Sequence, residues 1–212
     1  MQKEIPLHAN LHDNIIMSTT DTREQIIKVA QKLFAQKGIE NITMSDIATE
    51  ANRSRRTVYT YFQSKEELLQ ASIEMEVMKI SSAIAKVAAS KLSPDKKIVK
   101  LIFVRLSYTR NVVKRNSGIS SEYFNNMWII DHIRKTFDVR EIALFRTIIT
   151  DGVHQGIFKV DSPDLAARFL HFCIKGIEIP YINGIVSKNK DDKFVQNFTE
   201  KVILNALGAK SE

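Results

Sequence analysis

Cysteine, proline and glycine are scarce in this chain of 212 residues, which contains one Cys, four Pro and seven Gly. The single cysteine, Cys173, excludes an intramolecular disulfide and a zinc site made of several cysteines. So few Pro and Gly residues exclude collagen-like and low-complexity chains. No run of about 18 apolar residues is present, so we expect no transmembrane helix and no membrane partner. The N-terminal residues are polar, which predicts no signal peptide. Together these features predict a protein of the reducing cytoplasm.

Apolar residues make up 44% of the chain and charged residues 26%, a balance typical of a folded globular protein. The net charge of +7 favours an anionic partner. The charge is unevenly distributed, since residues 91–146 carry 12 basic and 5 acidic side chains and residues 18–72 carry 8 and 7. We interpret the excess in residues 91–146 as solvated surface. The alternative is an anionic ligand held by Arg105 or Arg110.

Apolar residues recur at helical spacing almost throughout the chain, so we predict an all-α fold. Apolar stripes and capping residues predict helices over 22–37, 44–51, 55–62, 64–89, 94–115, 120–126, 127–136, 138–154, 163–180 and 191–207. We predict three regions: a polar N-terminal extension over 1–17, a first helical domain over 18–67 and a second over 68–212. His8 and His12 are spaced like metal ligands on a helix, but we expect disorder in this polar extension and no metal site.

Two short predicted helices joined by a tight turn form a helix-turn-helix. Thr43 and Asp46 are spaced as a capping box at the first helix, Asn52 suits a left-handed turn, and Ser54 can cap the second helix. Residues 53–65 contain four basic and no acidic side chains, interleaved with hydroxyl groups. In this motif the second helix lies in the DNA major groove. Arginine can bond the guanine edge and threonine can contact the thymine methyl, whereas Tyr, Ser and Lys more often hold phosphate.

The stretch Thr22 to Leu69 resembles the DNA-binding domain of TetR-family transcriptional regulators. The matching marks are Leu33-Phe34 before Gly38, the run Thr43 to Ala48, the run Thr57 to Phe62, and the run Ser64 to Leu68. The resemblance implies base-edge contacts from Arg55, Arg56 and Thr57, with Ser45 as a further candidate. It implies phosphate contacts from Thr43, Tyr59, Tyr61 and Lys65, and Ser54 completes the set of DNA-binding candidates.

Two residues depart from the family pattern in this stretch. Asn52 stands where the family usually has glycine, and the turn can tolerate that change. Arg53 stands where the family usually has an apolar residue packed under the turn. Either the Arg53 stem packs there while its guanidinium reaches the solvent, or Arg53 adds a contact with DNA. The sequence does not decide between these alternatives.

The resemblance also implies a helical C-terminal domain that binds a largely apolar small-molecule effector and forms a homodimer through its last two long helices. The candidate interface residues are Phe169, Phe172, Phe194, Phe198 and Val202. The candidate pocket residues are Phe103, Leu106, Tyr108, Phe124, Trp128, Phe145 and Phe172, with His132 or His171 as a polar handle. Such aromatic residues at helical spacing also occur as ordinary core.

The resemblance therefore implies a repressor that binds a palindromic operator in double-stranded DNA and is released from it by the effector. We expect no cofactor, no bound metal and no enzymatic activity, because the sequence contains no catalytic or phosphate-binding motif. The alternative is a DNA-bound architectural or scaffolding protein of the same fold that has no effector. A small helical enzyme that merely retains this fold is a third hypothesis.

Overall fold

All regular structure in the described residues is α-helical, as the apolar spacing predicts. The computed structural model describes residues 8–115, 127–186 and 191–209. Eight helices lie within these ranges: α1 His8–Lys37, α2 Met44–Glu50, α3 Arg55–Tyr61, α4 Lys65–Ala88, α5 Pro94–Arg115, α6 Met127–His154, α7 Pro163–Ile182 and α8 Asp192–Ala206. The helix predicted over 120–126 lies outside the described residues. None of the described helices is long and apolar enough to cross a lipid bilayer.

Among the described residues, contacts divide the chain into two units, and the division lies within α4, after Ile73. The first unit contains α1, α2, α3 and the start of α4. Its core takes side chains that are at most 2% exposed from each of these helices: Ile26, Phe34, Ile47, Val58, Leu68 and Leu69. Burying each such side chain contributes about 1.5–3 kcal/mol, so the core holds the short helices α2 and α3 that would be unstable alone.

The turn between α2 and α3 has the hydrogen bonds of a Schellman motif. Asn52 has a φ of +52°, in the left-handed region where Asn is among the few suitable residues. Its N–H donates to the Thr49 carbonyl at 3.1 Å, and the Arg53 N–H donates to the Ala48 carbonyl at 2.9 Å. These bonds use the last carbonyl groups of α2. The predicted role of Asn52 is therefore confirmed, and the turn places α3 directly after Ser54.

The second unit contains the remainder of α4 and the helices α5 to α8. Its core includes fully buried side chains from α5, from α6 and from the segment after α6: Ile98, Leu101, Ile102, Phe145, Ile149 and Phe158. The predicted ends of its helices are confirmed at several points. Pro94 opens α5, Ser162 caps α7 through the Leu165 N–H, and Gly208 follows α8 with a φ of +65°.

The helix boundaries are wrong at three places. The first helix begins at His8 and not at Thr22. Asp21 and Glu24 have the spacing of a capping box, which predicts the later start, but such a box does not prevent helix before it, and residues 8–37 contain no Gly or Pro. The expected disorder of the extension is therefore wrong from His8 onwards. The helices predicted over 127–136 and 138–154 are one helix, α6. The helix α7 continues through Pro180 to Ile182. A proline lacks one backbone N–H donor, and only two helical residues follow Pro180, so the helix loses little by including it.

Candidate nucleic-acid interface

The helix α3 presents a polar face outwards because its apolar residues are fixed in the core. The Ser54 Oγ accepts a hydrogen bond from the Thr57 N–H at 3.0 Å and so caps the helix. Val58 and Phe62 are fully buried and lie four residues apart, which orients the opposite side of the helix to solvent. Predicted DNA-binding residues on this helix are exposed or half-buried: Arg55, Arg56, Thr57, Tyr59 and Tyr61.

The positive charge of this segment is not balanced by carboxylate groups. Within the described residues, three cations of the segment form no ion pair: Arg53, Arg55 and Arg56. Neighbouring acidic side chains on α1 and α2 pair elsewhere, Glu24 with Lys28 and Glu50 with Lys32, both at 2.8 Å. The turn and the first residues of α3 therefore form a concentrated patch of positive potential, which attracts a polyanion.

The N-terminus of α2 holds two of the hydroxyl groups predicted to contact DNA. Thr43 and Asp46 form the predicted capping box, in which the Thr43 N–H donates to Asp46 Oδ2 at 2.8 Å and the Asp46 N–H donates to Thr43 Oγ1 at 3.2 Å. The Thr43 hydroxyl also donates to Asp46 Oδ2, at 2.7 Å, and this bond together with the one from the Thr43 N–H lowers the pKa of Asp46 below its ordinary value. Ser45 follows on the first turn and is half-buried. The Thr43 hydroxyl therefore also has a structural role.

Lys65, predicted to hold phosphate, makes a contact that the sequence does not show. Its Nζ donates to the Ile39 carbonyl at 2.9 Å, which ties the start of α4 to the loop after α1. Ser64 and Glu67 have the spacing of a capping box, and the Ser64 Oγ caps α4 through the Glu67 N–H at 3.2 Å. The Glu67 carboxylate accepts its bond from the Gln63 N–H at 2.6 Å, whereas a capping box would use the N–H of Ser64, one residue later. Lys65 is therefore held in place before any ligand binds.

Two arginines outside the predicted set also lie in this part of the first unit. Arg53 is exposed, and its Nη2 donates to Gln25 Oε1 on α1 at 3.1 Å. The Arg23 guanidinium lies over the ring of Phe62, 5.0 Å from its centre. No sequence motif indicates either contact, because each joins α1 to residues about 30–40 positions away in the chain. The Arg53 guanidinium is therefore exposed and in contact with α1, which agrees with both alternatives given for Arg53 above.

The second unit carries a large exposed apolar face on α7 and α8. All five predicted interface residues are more than half exposed: Phe169, Phe172, Phe194, Phe198 and Val202. Between these two helices lies a groove of about 460 Å³ with an almost entirely apolar lining, which includes Ile177, Phe194 and Phe198. The apolar neighbours of Cys173 in the chain, Phe172 and Ile174, predict a buried packing residue, but Cys173 is exposed at this groove. An apolar patch of this kind marks an interaction surface.

The predicted pocket residues have different surroundings in the structure. Leu106 and Phe145 are buried in the hydrophobic core, Phe103 is half-buried, and Phe172 points to solvent. The Tyr108 hydroxyl donates to Glu76 Oε2 at 3.1 Å, and burial together with this carboxylate raises the pKa of Tyr108 to about 12. None of these residues lines the groove described above. Phe124 and the side chains of Trp128 and His132 lie outside the described residues.

A buried ionic network joins α5, α6 and α7 inside the second unit. Glu141 is fully buried between two cations, with Oε1 at 2.8 Å from Arg105 Nε and Oε2 at 2.6 Å from His171 Nδ1. Arg105 also lies 3.4 Å from the carboxylate of Glu178. The Nη1 of Arg105 is buried and has no hydrogen-bond partner within the described residues. The interpretation of Arg105 as solvated surface charge is therefore wrong, because carboxylates from two other helices surround it.

The charge states of this network follow from its contacts. Burial lowers the pKa of His171, but its contacts with Asp138 and Glu141 outweigh burial and raise that pKa to about 9. Burial raises the pKa of Asp138, but His171 and Lys175 outweigh it and lower that pKa to about 2. Near neutral pH, His171 is therefore a cation and Asp138 an anion.

The sequence indicated His171 only as a candidate polar contact in a pocket, and it did not indicate the carboxylate partners of His171. A signal was present, because Asp138 and Glu141 are three residues apart, and His171, Lys175 and Glu178 are four and three apart. Such spacing puts each set on one face of its helix. Within the described residues, no group of three or more His, Cys, Asp or Glu side chains is arranged so that it could hold a metal ion.

Comparison with known proteins agrees with the helix-turn-helix geometry. Residues 26–72 match the family described as bacterial regulatory proteins, tetR family. Over 145 residues the chain is 27% identical to the HTH-type transcriptional repressor NicS of Pseudomonas putida, an alignment that covers 66% of this chain and 67% of NicS. The matched family consists of DNA-binding regulators and not of enzymes.

Solved structures resemble this chain over most of its length. A TetR/AcrR-family transcriptional regulator from Thermobifida fusca has a TM-score of 0.65 at 25% identity, covering 87% of this chain and 97% of its own. A transcriptional regulator from Cytophaga hutchinsonii has a TM-score of 0.66 at 24% identity, covering 87% and 94%. These matches extend the similarity beyond the helix-turn-helix to the fold of the second unit.

Proposed function

Because the chain belongs to the TetR family of helix-turn-helix transcriptional regulators, we propose that it is a cytoplasmic repressor released from a palindromic operator by a small-molecule effector. The observation that carries this proposal is the outer face of α3, where arginines without carboxylate partners lie beside hydroxyl groups on a capped helix. The similarity to a transcriptional repressor supports repression over activation.

The residues of the helix-turn-helix divide into base-reading and phosphate-holding groups. Arg55, Arg56 and Thr57 lie in the first turn of α3, the part of a recognition helix that contacts base edges. An arginine can make two parallel bonds to guanine O6 and N7. The phosphate-holding group comprises residues around this turn: Thr43, Ser54, Tyr59, Tyr61 and Lys65. Ser45, on the first turn of α2, is a further candidate for a base-edge contact. Tyr59 lies 5.8 Å below the Arg55 guanidinium, which limits the rotamers of both side chains before DNA binds.

The proposed homodimer forms through α7 and α8. Exposed aromatic residues are concentrated on these two helices, with Phe169 70% and Phe198 61% exposed, and leaving them in water is costly at about 25 cal/mol per Å². A second copy with the same face would cover them through a two-fold interface. The two-fold symmetry of such a dimer requires a palindromic operator, on which the two α3 helices would bind half-sites about 34 Å apart, one turn of DNA.

The proposed effector binds within the helices of the second unit. Half-buried aromatic residues such as Phe103 and Tyr108 supply apolar contact area, and the unused Nη1 donor of Arg105 supplies a polar contact. Two carboxylates already balance the charge of Arg105. A neutral oxygen acceptor therefore suits this donor better than a second anion does. Binding would favour a conformation of the dimer in which the two α3 helices no longer match the operator.

The first test is selection of bound fragments from sheared genomic DNA by the purified protein at physiological salt. We expect enrichment of one or a few palindromic sites. Arg56→Ala should weaken the enriched site by about 1–3 kcal/mol and relax its sequence preference, while Lys65→Ala should weaken all sequences to a similar degree. Salt-sensitive binding without enrichment would contradict the repressor and support an architectural protein.

A second test concerns the homodimer and uses sedimentation velocity. Phe198→Glu should shift the protein from dimer to monomer, because it buries a charge in the proposed interface. Val139→Glu is the matched control, since Val139 on α6 is also exposed, at 66%, but lies outside α7 and α8. A Phe198→Glu protein that stays dimeric, or a wild type that is monomeric at micromolar concentration, would contradict the interface.

A further inference from the structure

Arg53 occupies an unusual place between the turn and the recognition helix. It directly precedes the N-cap Ser54, is exposed, and contributes its N–H to the turn through the Ala48 carbonyl at 2.9 Å. Its side chain extends to α1, where Nη2 donates to Gln25 Oε1 at 3.1 Å, and its Nη1 lies 3.5 Å from the Asn52 carbonyl. The guanidinium is therefore held by two neutral acceptors.

Neutral acceptors hold an arginine in position without cancelling its charge. A purely structural clamp between α1 and the turn gains most from a carboxylate, because charge-assisted hydrogen bonds are about twice as strong as neutral ones. At this position the partner is the amide of Gln25, while the carboxylates of Glu24 and Glu50 pair with Lys28 and Lys32. The full positive charge of Arg53 therefore stays available beside the arginines of α3.

From this arrangement we infer that Arg53 is a further DNA-contacting residue, which binds a backbone phosphate, and that Gln25 is its positioning residue. The inference rests on the proposed DNA-binding function and extends the contact surface from α3 to the turn and to α1. An arginine of fixed geometry presents several N–H donors to a phosphate. Arg53 contacts phosphate and not a base edge, because it precedes the helix turn that carries the base-reading residues.

The test compares the salt dependence of DNA binding between variants, using a fluorescently labelled 30-base-pair duplex that carries the selected operator. Each phosphate neutralised contributes about −0.9 to the slope of log K against log salt concentration. Arg53→Met keeps an unbranched apolar stem and removes the charge, so its slope should be less steep by about 0.9 for each bound α3. For a dimer this change corresponds to about 30-fold weaker binding at 0.15 M salt.

Lys28→Gln is the matched control for loss of one positive charge. Lys28 lies on α1 and pairs with Glu24, so its replacement should leave the slope close to that of the wild type. Arg53→Gln is a second variant that keeps polar contacts if Arg53→Met does not fold. A slope equal to that of the wild type in the folded variants, with only a lower unfolding midpoint, would overturn the inference and leave Arg53 as a structural clamp.

Gln25→Glu distinguishes a structural clamp from a phosphate contact, because this substitution adds a carboxylate beside Arg53 where Arg53→Met removes the positive charge. A carboxylate at this position would pair with the guanidinium, so a structural clamp would become stronger and DNA binding would be unchanged. A phosphate contact would be neutralised, so binding should weaken and its salt slope should fall. The effect should disappear in the Arg53→Met background, because Gln25 acts through Arg53; an equal effect in both backgrounds would overturn the positioning role.

The design separates failure of this inference from failure of the proposed function. A wild type that binds neither the selected operator nor a mixed-sequence duplex contradicts the DNA-binding function itself. A wild type that binds DNA with the same salt slope as Arg53→Met contradicts only the role of Arg53. A reduced slope in Arg53→Met together with an unchanged slope in Lys28→Gln supports it.

Discussion

Removing the Glu141 carboxylate should destabilise the second unit more than any exposed ion pair could. Glu141 is fully buried, 2.8 Å from Arg105 Nε and 2.6 Å from His171 Nδ1. In Glu141→Ala both cations keep their burial but lose their shared anion. Breaking a buried pair in this way costs about 3–5 kcal/mol. The carboxylates that remain, Glu178 at 3.4 Å from Arg105 and Asp138 at 3.7 Å from His171, are farther away and compensate the two buried charges less well. That loss is a large fraction of the 5–15 kcal/mol of a typical domain.

The assay is urea denaturation at pH 7, followed by far-ultraviolet circular dichroism. Glu141→Gln keeps the shape of the side chain and an oxygen acceptor, so we expect an intermediate loss. Glu24→Ala is the control for an exposed pair, because Glu24 bonds Lys28 at the surface and should cost less than about 1 kcal/mol. A loss below about 1 kcal/mol for Glu141→Ala would refute the reasoning, since it would mean that water or structural relaxation already solvates the network.

Three further predictions concern stability. His171 has a pKa of about 9 in the folded chain against an ordinary 6.5. The contribution of protonated His171 to the free energy of unfolding, about 3 kcal/mol, should therefore be complete below pH 6.5 and be lost as the pH rises through 9. Urea midpoints measured from pH 6 to 10 should fall accordingly. A His171→Gln variant with the same fall would contradict this prediction. Ser54→Ala should cost about 1 kcal/mol by removing the N-cap, seen as faster hydrogen exchange in α3, whereas Ser54→Thr should restore protection. Gly152→Ala should cost about 1–3 kcal/mol by overpacking and lower the thermal unfolding midpoint, because the new Cβ would lie 2.1 Å from Phe158 Cδ2. Gly176→Ala is the control and should not lower that midpoint, since its new Cβ would meet no atom within 4 Å.

Local features of the helix-turn-helix could be predicted because their causes are local in the chain. Thr43, Ser54 and Asn52 each act on backbone groups within four residues, so their spacing alone indicates a cap or a turn. The inward positions of Val58 and Phe62 follow from their separation of four residues. The outer face of α3, and with it most of the candidate interface, is the consequence.

The start of α1 and the continuity of α6 could not be predicted in the same way. A capping box and a polar stretch favour a boundary by about 1 kcal/mol, and a short further stretch of helix can offset this amount. Packing against other helices then decides where a helix begins or continues. Phe137, at the predicted break in α6, is an example, because its side chain is buried, at 7% exposure. Such contacts depend on other helices and leave no local pattern.

Short-range sequence patterns are sufficient to predict the all-helical fold, the capped helix-turn-helix and the basic, acid-free character of α3. Each depends on spacing within one or two helical turns. The folded chain is needed to see that Arg105 and Glu141 are buried together, that Lys65 is held by the Ile39 carbonyl, and that the Arg53 guanidinium contacts Gln25. These pairs are separated by 26 to 36 positions in the chain, and which distant residues meet is set by the packing of whole helices, because no short-range pattern encodes it.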